Sequence, residues 1–378
     1  MATAENFPTM GEQGAVARNS SDSGQKKVDL EKLLKLMVEK NASDLFFTTN
    51  APVEIKIEGR IMPATKYRLS NEEVKRLAYK VMDAKQRDYF EQELEIDFAI
   101  SRSNLGRFRA NVFHQRSSVA MVLRYITHKM PRLDTLNLPD KLSELALLRR
   151  GLVLMVGASG SGKSTTLAAM INHRNETTGS HIVTVEDPIE YLHPNKKSII
   201  NQREVGLDTH SFAQALRSVV RAAPDVVLIG ECRDRETMES ALTLAGTGHL
   251  CIATLHANNA PESIDRIINM FPDDRKKLIF MDLSQYLRAI ISQRLVMGRT
   301  GRRVAAVELM LNTPHISELI LKGDIAEIKE AVQDSSEAGM INFDQALFQL
   351  YREGRVDLEE ALAHADSRAN LEAKISFG

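Results

Sequence analysis

The sequence predicts an α/β protein: a small α+β domain, then a doubly wound α/β domain with a helical C-terminal extension. Short alternating runs and amphipathic helical patterns fill residues 28–130. Near-continuous apolar runs separated by helical patterns follow over residues 141–310, as expected of strands buried on both faces of a parallel sheet. Residues 311–378 have a helical pattern. These three observations indicate the order of the domains.

Length and composition exclude several classes of protein. A chain of 378 residues is long enough for two to three domains. Its 49 basic and 50 acidic residues leave a net charge of −1, which excludes a globally basic nucleic-acid coat. No apolar run approaches the length of a membrane span, and the N-terminus lacks the apolar core of a secretory signal. We therefore expect a cytoplasmic protein.

The first domain is predicted from local signals. Residues 1–27 are rich in small polar residues and predict a disordered tail. An opening helix is expected from Leu30, and Ser70 with Glu73 forms the capping box of a second helix. The strands predicted here cover residues 44–47, 53–59, 106–113 and 119–126. Two prolines, Pro131 and Pro139, bracket a linker that we place at residues 131–140.

The second domain is predicted from its apolar runs, which cover residues 152–156, 181–185, 226–230 and 250–254. Its two cysteines, Cys232 and Cys251, lie outside any CxxC pair, so neither a disulfide framework nor a structural zinc site is expected. Buried thiols are the expected state of both. The helices after residue 310 are separated by Gly323, Gly339 and Gly354.

A phosphate-binding loop is the strongest motif. Residues 157–164 read GASGSGKS, match GxxxxGKS/T, follow an apolar strand and open a helical run. The glycines let backbone N–H groups surround phosphates at a helix N-terminus. We expect Lys163 to reach the β- and γ-phosphates of ATP and Ser164 to ligate Mg²⁺. The predicted nucleotide-binding residues are Gly157, Ala158, Ser159, Gly160, Ser161, Gly162, Lys163, Ser164 and Thr165.

Two strands end in carboxylates that suit a nucleoside triphosphatase. Glu231 follows the strand at 226–230 and is expected to act on Mg²⁺ through a water. Glu186 ends the strand at 181–185, and we assign it to positioning the attacking water, with Asp187 and Glu190 as support. The alternative for such an acidic strand end is a solvated turn.

Two histidines flank the last of these strands. His249 precedes the strand at 250–254 and His256 follows it. Their seven-residue separation places them near opposite ends of one strand, so one of them is expected beside the γ-phosphate. We assign a nucleotide-sensing role to His256 before His249, and a structural role is the alternative for both. No cysteine or third histidine lies at the spacing that a metal site with these two histidines would require.

A basic stretch marks the first domain. Seven basic residues and no acidic residue lie between Asp97 and Asp134. Arg107 and Arg109 alternate with Phe108, so both arginines should lie on one face of a strand. Such a block repels itself unless an anion neutralises it. ATP bound by the other domain or a neighbouring subunit is favoured over nucleic acid, and a solvated face is the third alternative.

The motifs together resemble those of the secretion ATPase superfamily, closely the PilT/PilU family of type IV pilus retraction ATPases. GASGSGKSTTLAAM is similar to the family's Walker A motif, VTVEDPIEYLH to its Asp box, VVLIGECRD to its Walker B motif and GTGHLCIATLHANNA to its His box. The resemblance covers residues 28 to 378. The stretch VVRAAPDVV and the long helical C-terminus favour the PilU branch.

The resemblance implies a PAS-like first domain, a RecA-like second domain and a homohexamer. The family's trans-acting arginines map onto Arg109 and Arg124. The implied activity is Mg²⁺-dependent ATP hydrolysis that powers pilus retraction at an inner-membrane platform protein, beside a PilT-like ATPase. Two alternatives remain: an accessory hexamer with weak intrinsic ATPase activity, and a nucleic-acid-transfer motor of the same superfamily. No nucleic-acid partner is expected.

Overall fold

A computed structural model describes residues 28–57, 59–126, 129–334 and 339–377. The predicted tail at residues 1–27 lies outside this part of the chain. Two sheets organise the described residues, one of six strands and one of seven. The α/β fold class predicted from the sequence is confirmed. None of the described helices is long and apolar enough to cross a bilayer.

The first sheet has the order β3-β2-β1-β6-β5-β4, and all its pairings are antiparallel. Its elements are α1 (Leu30–Glu39), β1 (Asp44–Phe47), β2 (Glu54–Ile57), β3 (Arg60–Pro63), α2 (Asn71–Val81), α3 (Ala84–Glu93), β4 (Glu95–Arg102), β5 (Gly106–Gln115) and β6 (Ser118–Ile126). Ser70 and Glu73 form the predicted capping box at the start of α2. Phe108 and Ala110 are fully buried, so β5 alternates as predicted.

The second sheet has the order β13-β12-β7-β11-β10-β8-β9, and only the β12–β13 pair is antiparallel. The elements that build it are α4 (Lys141–Ala146), β7 (Gly151–Val156), α5 (Lys163–Thr177), β8 (His181–Glu186), β9 (Ile199–Glu204), α6 (Phe212–Val219), β10 (Val226–Ile229), α7 (Arg235–Gly246), β11 (Leu250–Leu255), α8 (Ala260–Asn269), α9 (Asp273–Tyr286), β12 (Leu287–Met297) and β13 (Arg303–Leu311). All four predicted apolar runs are strands of this sheet. Every residue of β7, β10 and β11 is buried.

Helices follow the second sheet. They are α10 (Pro314–Lys322), α11 (Ile325–Asp334), α12 (Phe343–Arg352), α13 (Leu358–Ala363) and α14 (Arg368–Phe377). The last three bury Phe343, Leu347 and Leu371 against Val296 of β12 and Ala306 of β13. Helices α12 to α14 therefore pack against β12 and β13, the antiparallel pair of the second sheet.

The two sheets are joined by an ion pair. Arg107 of β5 places a guanidinium nitrogen 3.5 Å from Oε2 of Glu204 at the end of β9. The Glu204 side chain is buried, and the same oxygen accepts the backbone N–H of Ile189 at 3.2 Å. The first sheet therefore contacts the end of β9, where Glu204 also binds the loop that follows β8.

Candidate active site

The phosphate loop spans residues 157–162 between β7 and α5. Gly160 and Gly162 have φ angles of +77° and +89°, a region that side-chain-bearing residues rarely adopt. A Cβ atom on Gly157 would lie 2.5 Å from the carbonyl oxygen of Gln293. The glycine positions of the motif are therefore required by backbone conformation and by close approach to β12.

Gln293 of β12 holds the phosphate loop in place through its side-chain amide. Its Nε2 donates to the carbonyl oxygen of Ser161 at 2.8 Å, and its Oε1 accepts the hydroxyl of Thr166 at 2.7 Å. The side chain is buried, and both of its polar atoms are satisfied by the loop and the first turn of α5. Sequence reasoning missed this residue, although a glutamine within the apolar run of β12 was a usable signal.

Lys163 begins α5 and folds back over the loop. Its Nζ donates to the carbonyl oxygens of Gly157 at 2.7 Å and Ala158 at 2.9 Å. Burial lowers the pKa of Lys163, while the charge of Glu231 acts in the opposite direction. A cation is thus held at the loop with a carboxylate nearby.

Glu186 occupies the carboxyl end of β8. Its Oε1 accepts the hydroxyl of Thr184 at 2.6 Å and Nε2 of Gln202 at 3.1 Å. Burial raises the pKa of Glu186, and these two hydrogen bonds, with the backbone N–H of Glu190, lower it in part. A carboxylate with a raised pKa is a better proton acceptor, which suits a group that activates water.

Glu231 follows β10 and has a different environment. Arg233 donates to its Oε2 at 2.7 Å, and Nε2 of His256 lies 3.0 Å from its Oε1. Burial acts to raise the pKa of Glu231, but the hydrogen bond and charge of Arg233, with His256 and Lys163, lower it overall. Glu231 is therefore held as an anion.

These groups surround one cavity of about 510 Å³ at the carboxyl edge of the parallel strands. Lys163, Glu186, Glu231 and His256 line it together. Its wall also includes Ser159, Gly160, Gly162, Ser164, Thr165, Asp187, Glu190, Tyr191, His193, Leu295 and Arg303. The predicted catalytic groups of the second domain thus converge, and Tyr191, His193 and Arg303 were not predicted.

The cavity has the donors that a magnesium nucleotide requires. Mg²⁺ prefers hard oxygen ligands and few protein carboxylates. The hydroxyl of Ser164 and the anionic Glu231 both reach the cavity wall. The loop supplies backbone N–H groups at the N-terminus of α5, where anions bind. The residues present therefore fit ATP with Mg²⁺.

His249 is not brought to this cavity. It precedes β11, and its Nδ1 lies 3.1 Å from the carbonyl oxygen of Leu244 and 3.2 Å from the hydroxyl of Thr247. His256 follows the same strand, so the two histidines lie at opposite edges of the sheet, about 20 Å apart. Only His256 of the two lines the cavity, and a contact between His249 and a nucleotide stays a prediction.

Several arginines of the basic stretch form ion pairs with acidic residues of the chain itself. Among its ion pairs, Arg109 lies 3.4 Å from Asp97, and Arg124 lies 2.8 Å from Asp44. The sheet therefore places carboxylates of the chain itself beside these arginines, and their contact with ATP stays a prediction. Neither Arg109 nor Arg124 lines the cavity within one chain.

Comparisons with known proteins agree with these features. A family described as type II/IV secretion system protein matches residues 19–363. The chain is 51% identical to the type IV pilus ATPase PilU of Pseudomonas aeruginosa, over 93% of this chain and 92% of that protein. It is 40% identical to PilT of the same organism, over 91% of this chain and all of PilT. A crystal structure of the pilus retraction motor PilT with bound ADP superposes with a TM-score of 0.86 and 41% identity, covering 92% of this chain and 99% of that one.

Proposed function

The chain belongs to the type II/IV secretion system protein family, and from that premise we propose that it is the ATP-hydrolysing motor of type IV pilus retraction. Its similarity to proteins named as pilus ATPases supports ATP hydrolysis as the activity and pilus retraction as the process. One observation carries the proposal: Lys163, Glu186, Glu231 and His256 converge on the cavity beside the phosphate loop.

Each of these side chains has a distinct task in hydrolysis. Lys163 neutralises charge on the β- and γ-phosphates, which builds up as the terminal bond breaks. Glu186 orients the attacking water and accepts its proton, since burial makes this carboxylate basic. Ser164 and Glu231 would hold Mg²⁺, and the ion would supply electrostatic stabilisation of the phosphates. His256 contacts Glu231 at 3.0 Å and lines the cavity, where it would face the γ-phosphate of bound ATP.

The ring is the second part of the proposal. From the resemblance to the secretion ATPases we infer a homohexamer in which Arg109 and Arg124 of one subunit reach the nucleotide of the next. Neither arginine lines the cavity of its own chain, which is compatible with this role. Closure of the interface on ATP and its release after hydrolysis then move one domain against its neighbour. In this proposal the ring works in the cytoplasm against an inner-membrane platform protein.

Steady-state ATPase assays test the catalytic assignment. We expect Lys163→Ala and Glu186→Ala to abolish turnover, while Glu186→Ala retains binding of a fluorescent ATP analogue. Retained hydrolysis in Glu186→Ala would show that another group positions the water. Asp274→Ala, at the exposed start of α9, is a matched control that should hydrolyse ATP as the wild type does.

A second candidate function is an accessory motor that depends on a PilT-like partner. Such a motor would share every motif of the site with an independent one, and the identities of 51% to PilU and 40% to PilT do not separate the two. Assays of the chain alone and with a PilT partner separate the two functions: an independent motor hydrolyses ATP alone, whereas an accessory one needs the partner for full turnover. DNA-stimulated, salt-sensitive turnover would instead indicate a nucleic-acid motor.

A further inference from the structure

Gln202 of β9 makes three hydrogen bonds around the loop that follows β8. Its Nε2 donates to Oε1 of Glu186 at 3.1 Å and to the carbonyl oxygen of Tyr191 at 2.8 Å. Its Oε1 accepts the backbone N–H of His193 at 2.8 Å. One side chain therefore connects the carboxylate at the start of this loop with the backbone at its end.

The orientation of this amide is fixed by its partners. A backbone N–H can only donate, and a backbone carbonyl can only accept, so Oε1 must face His193 and Nε2 must face Tyr191. The NH₂ group is then also the group presented to Glu186. Gln202 consequently favours the ionised carboxylate, which accepts hydrogen bonds at both oxygens.

Two donors reach the same oxygen of Glu186. Thr184 and Gln202 are register partners in the parallel pair of β8 and β9, and both donate to Oε1. With the backbone N–H of Glu190, these two donors fix the rotation of the carboxylate at the cavity wall. Gln202 is not among the residues that line the cavity, so it acts through Glu186.

We propose that Gln202 is a positioning residue for hydrolysis, which holds the Glu186 carboxylate ionised and aimed at the attacking water. This inference rests on the proposed role of Glu186. Motif matching does not reveal Gln202, because it lies on an edge strand 16 residues after Glu186. Only the register of β9 with β8 brings the two side chains together.

The test is the pH dependence of kcat for Gln202→Met, which keeps the length of the side chain and removes its donors. Without the Nε2 donor the carboxylate takes up a proton more readily, so the acidic limb of the profile should move to higher pH by about one unit. At neutral pH kcat should fall by at least about tenfold because the carboxylate is no longer aimed. The KM for ATP should stay within about twofold of the wild-type value.

A matched control lies next to Gln202 on the same strand. The side chain of Asn201 faces the other way and bonds Nε2 of His181 at 2.8 Å, so Asn201→Ser should keep the wild-type profile. Thr184→Val, which removes the other donor to Oε1, should shift the acidic limb in the same direction as Gln202→Met. If Gln202→Met does not fold, Gln202→Asn carries the same expectation, because its amide is one methylene too short.

The outcomes separate this inference from the proposed function. If Glu186→Ala is inactive while the profile of Gln202→Met superposes on that of the wild type, the positioning role is wrong and the role of Glu186 stands. A raised KM with unchanged kcat in Gln202→Met also overturns it, since the residue would then serve nucleotide binding. If Glu186→Ala still hydrolyses ATP, both assignments fail.

Discussion

Arg109 of β5 lies directly opposite Arg124 of β6, and the two guanidinium groups share one face of the first sheet. Like charges in this relationship destabilise a sheet unless each has a partner. Arg124 holds Asp44 at 2.8 Å, and Arg109 holds Asp97 at 3.4 Å. The two arginines thus form an adjacent pair whose charges are stabilised within the chain and remain partly exposed.

The first prediction concerns turnover without either arginine. Arg109→Ala and Arg124→Ala should each lower kcat by about a thousandfold or more, as expected when a trans arginine is removed from a phosphate-transfer site. Binding of ADP to the isolated chain should be unchanged, since neither side chain lines its cavity. Arg102→Ala is a matched control, because Arg102 pairs with Glu31 at the end of β4. Wild-type turnover in both variants would show that neither arginine acts on the nucleotide of a neighbouring subunit.

The same two variants should differ in stability. Among the described residues, Arg124→Ala leaves the buried carboxylate of Asp44 with only the hydroxyl of Ser43 as a side-chain partner, so the free energy of unfolding should fall by about 1–3 kcal/mol. Arg109→Ala leaves Asp97, which is half exposed, and should cost under about 1 kcal/mol. Urea unfolding followed by circular dichroism measures both values. Equal losses would contradict this account of Asp44.

The second prediction concerns the glutamine beneath the phosphate loop. Gln293→Leu removes the bonds to Ser161 and Thr166 and leaves a buried carbonyl and a hydroxyl unpaired. We expect the Kd for ADP to rise about tenfold, equivalent to one such bond to the loop. Fluorescent nucleotide titration measures it. Gln349→Leu on the exposed face of α12 is the control and should bind ADP normally. Unchanged affinity in Gln293→Leu would show that the loop holds its shape unaided.

Strong local signals explain what the sequence predicted. The run at 152–156 is apolar throughout because β7 is buried on both faces, and the spacing of glycines and lysine in the loop has a stereochemical cause. The sequence did not predict β3, α3, β4, β9, β12 or β13. All residues of β3 are exposed, and α3 buries only Phe90, so neither has a clear hydrophobic period.

Long-range pairing explains what was missed at the site. Gln202 and Gln293 act through strand register and through contacts made 16 and 132 residues away along the chain. Carboxylates that pair with arginines of the basic stretch are likewise placed by the sheet, since Asp44 pairs with Arg124 across 80 residues. Spacing along the chain carries no signal for such contacts. The order of the motifs along the chain was enough to predict the residues that line the cavity. The residues that support them could be found only from the folded structure.

The third prediction concerns the two thiols. Cys232 and Cys251 are both buried and free. Burial raises the pKa of Cys251 to about 12 and that of Cys232 well above its ordinary value, so neither is a thiolate at neutral pH. A thiol-disulfide reagent should therefore label neither cysteine in the folded protein and both in urea. Rapid labelling of the native protein would contradict the burial of this region.

The fourth prediction concerns acid stability at His193, which lines the cavity wall. Burial, with the charge of Lys196 as a smaller cause, lowers the pKa of His193 from 6.5 to about 4. The unfolded chain takes up a proton as the pH falls through 6.5, whereas the folded chain does so only near 4, so stability is full above 6.5 and is lost through this window. Between pH 7.5 and 5 this histidine should lower the free energy of unfolding by about 2 kcal/mol.

His193→Gln should remove that part of the pH dependence in urea titrations, and His210→Gln, at an exposed position, should retain it. If the free energy of unfolding depends on pH in the same way for His193→Gln and the wild type, His193 is protonated equally in the folded and unfolded chain.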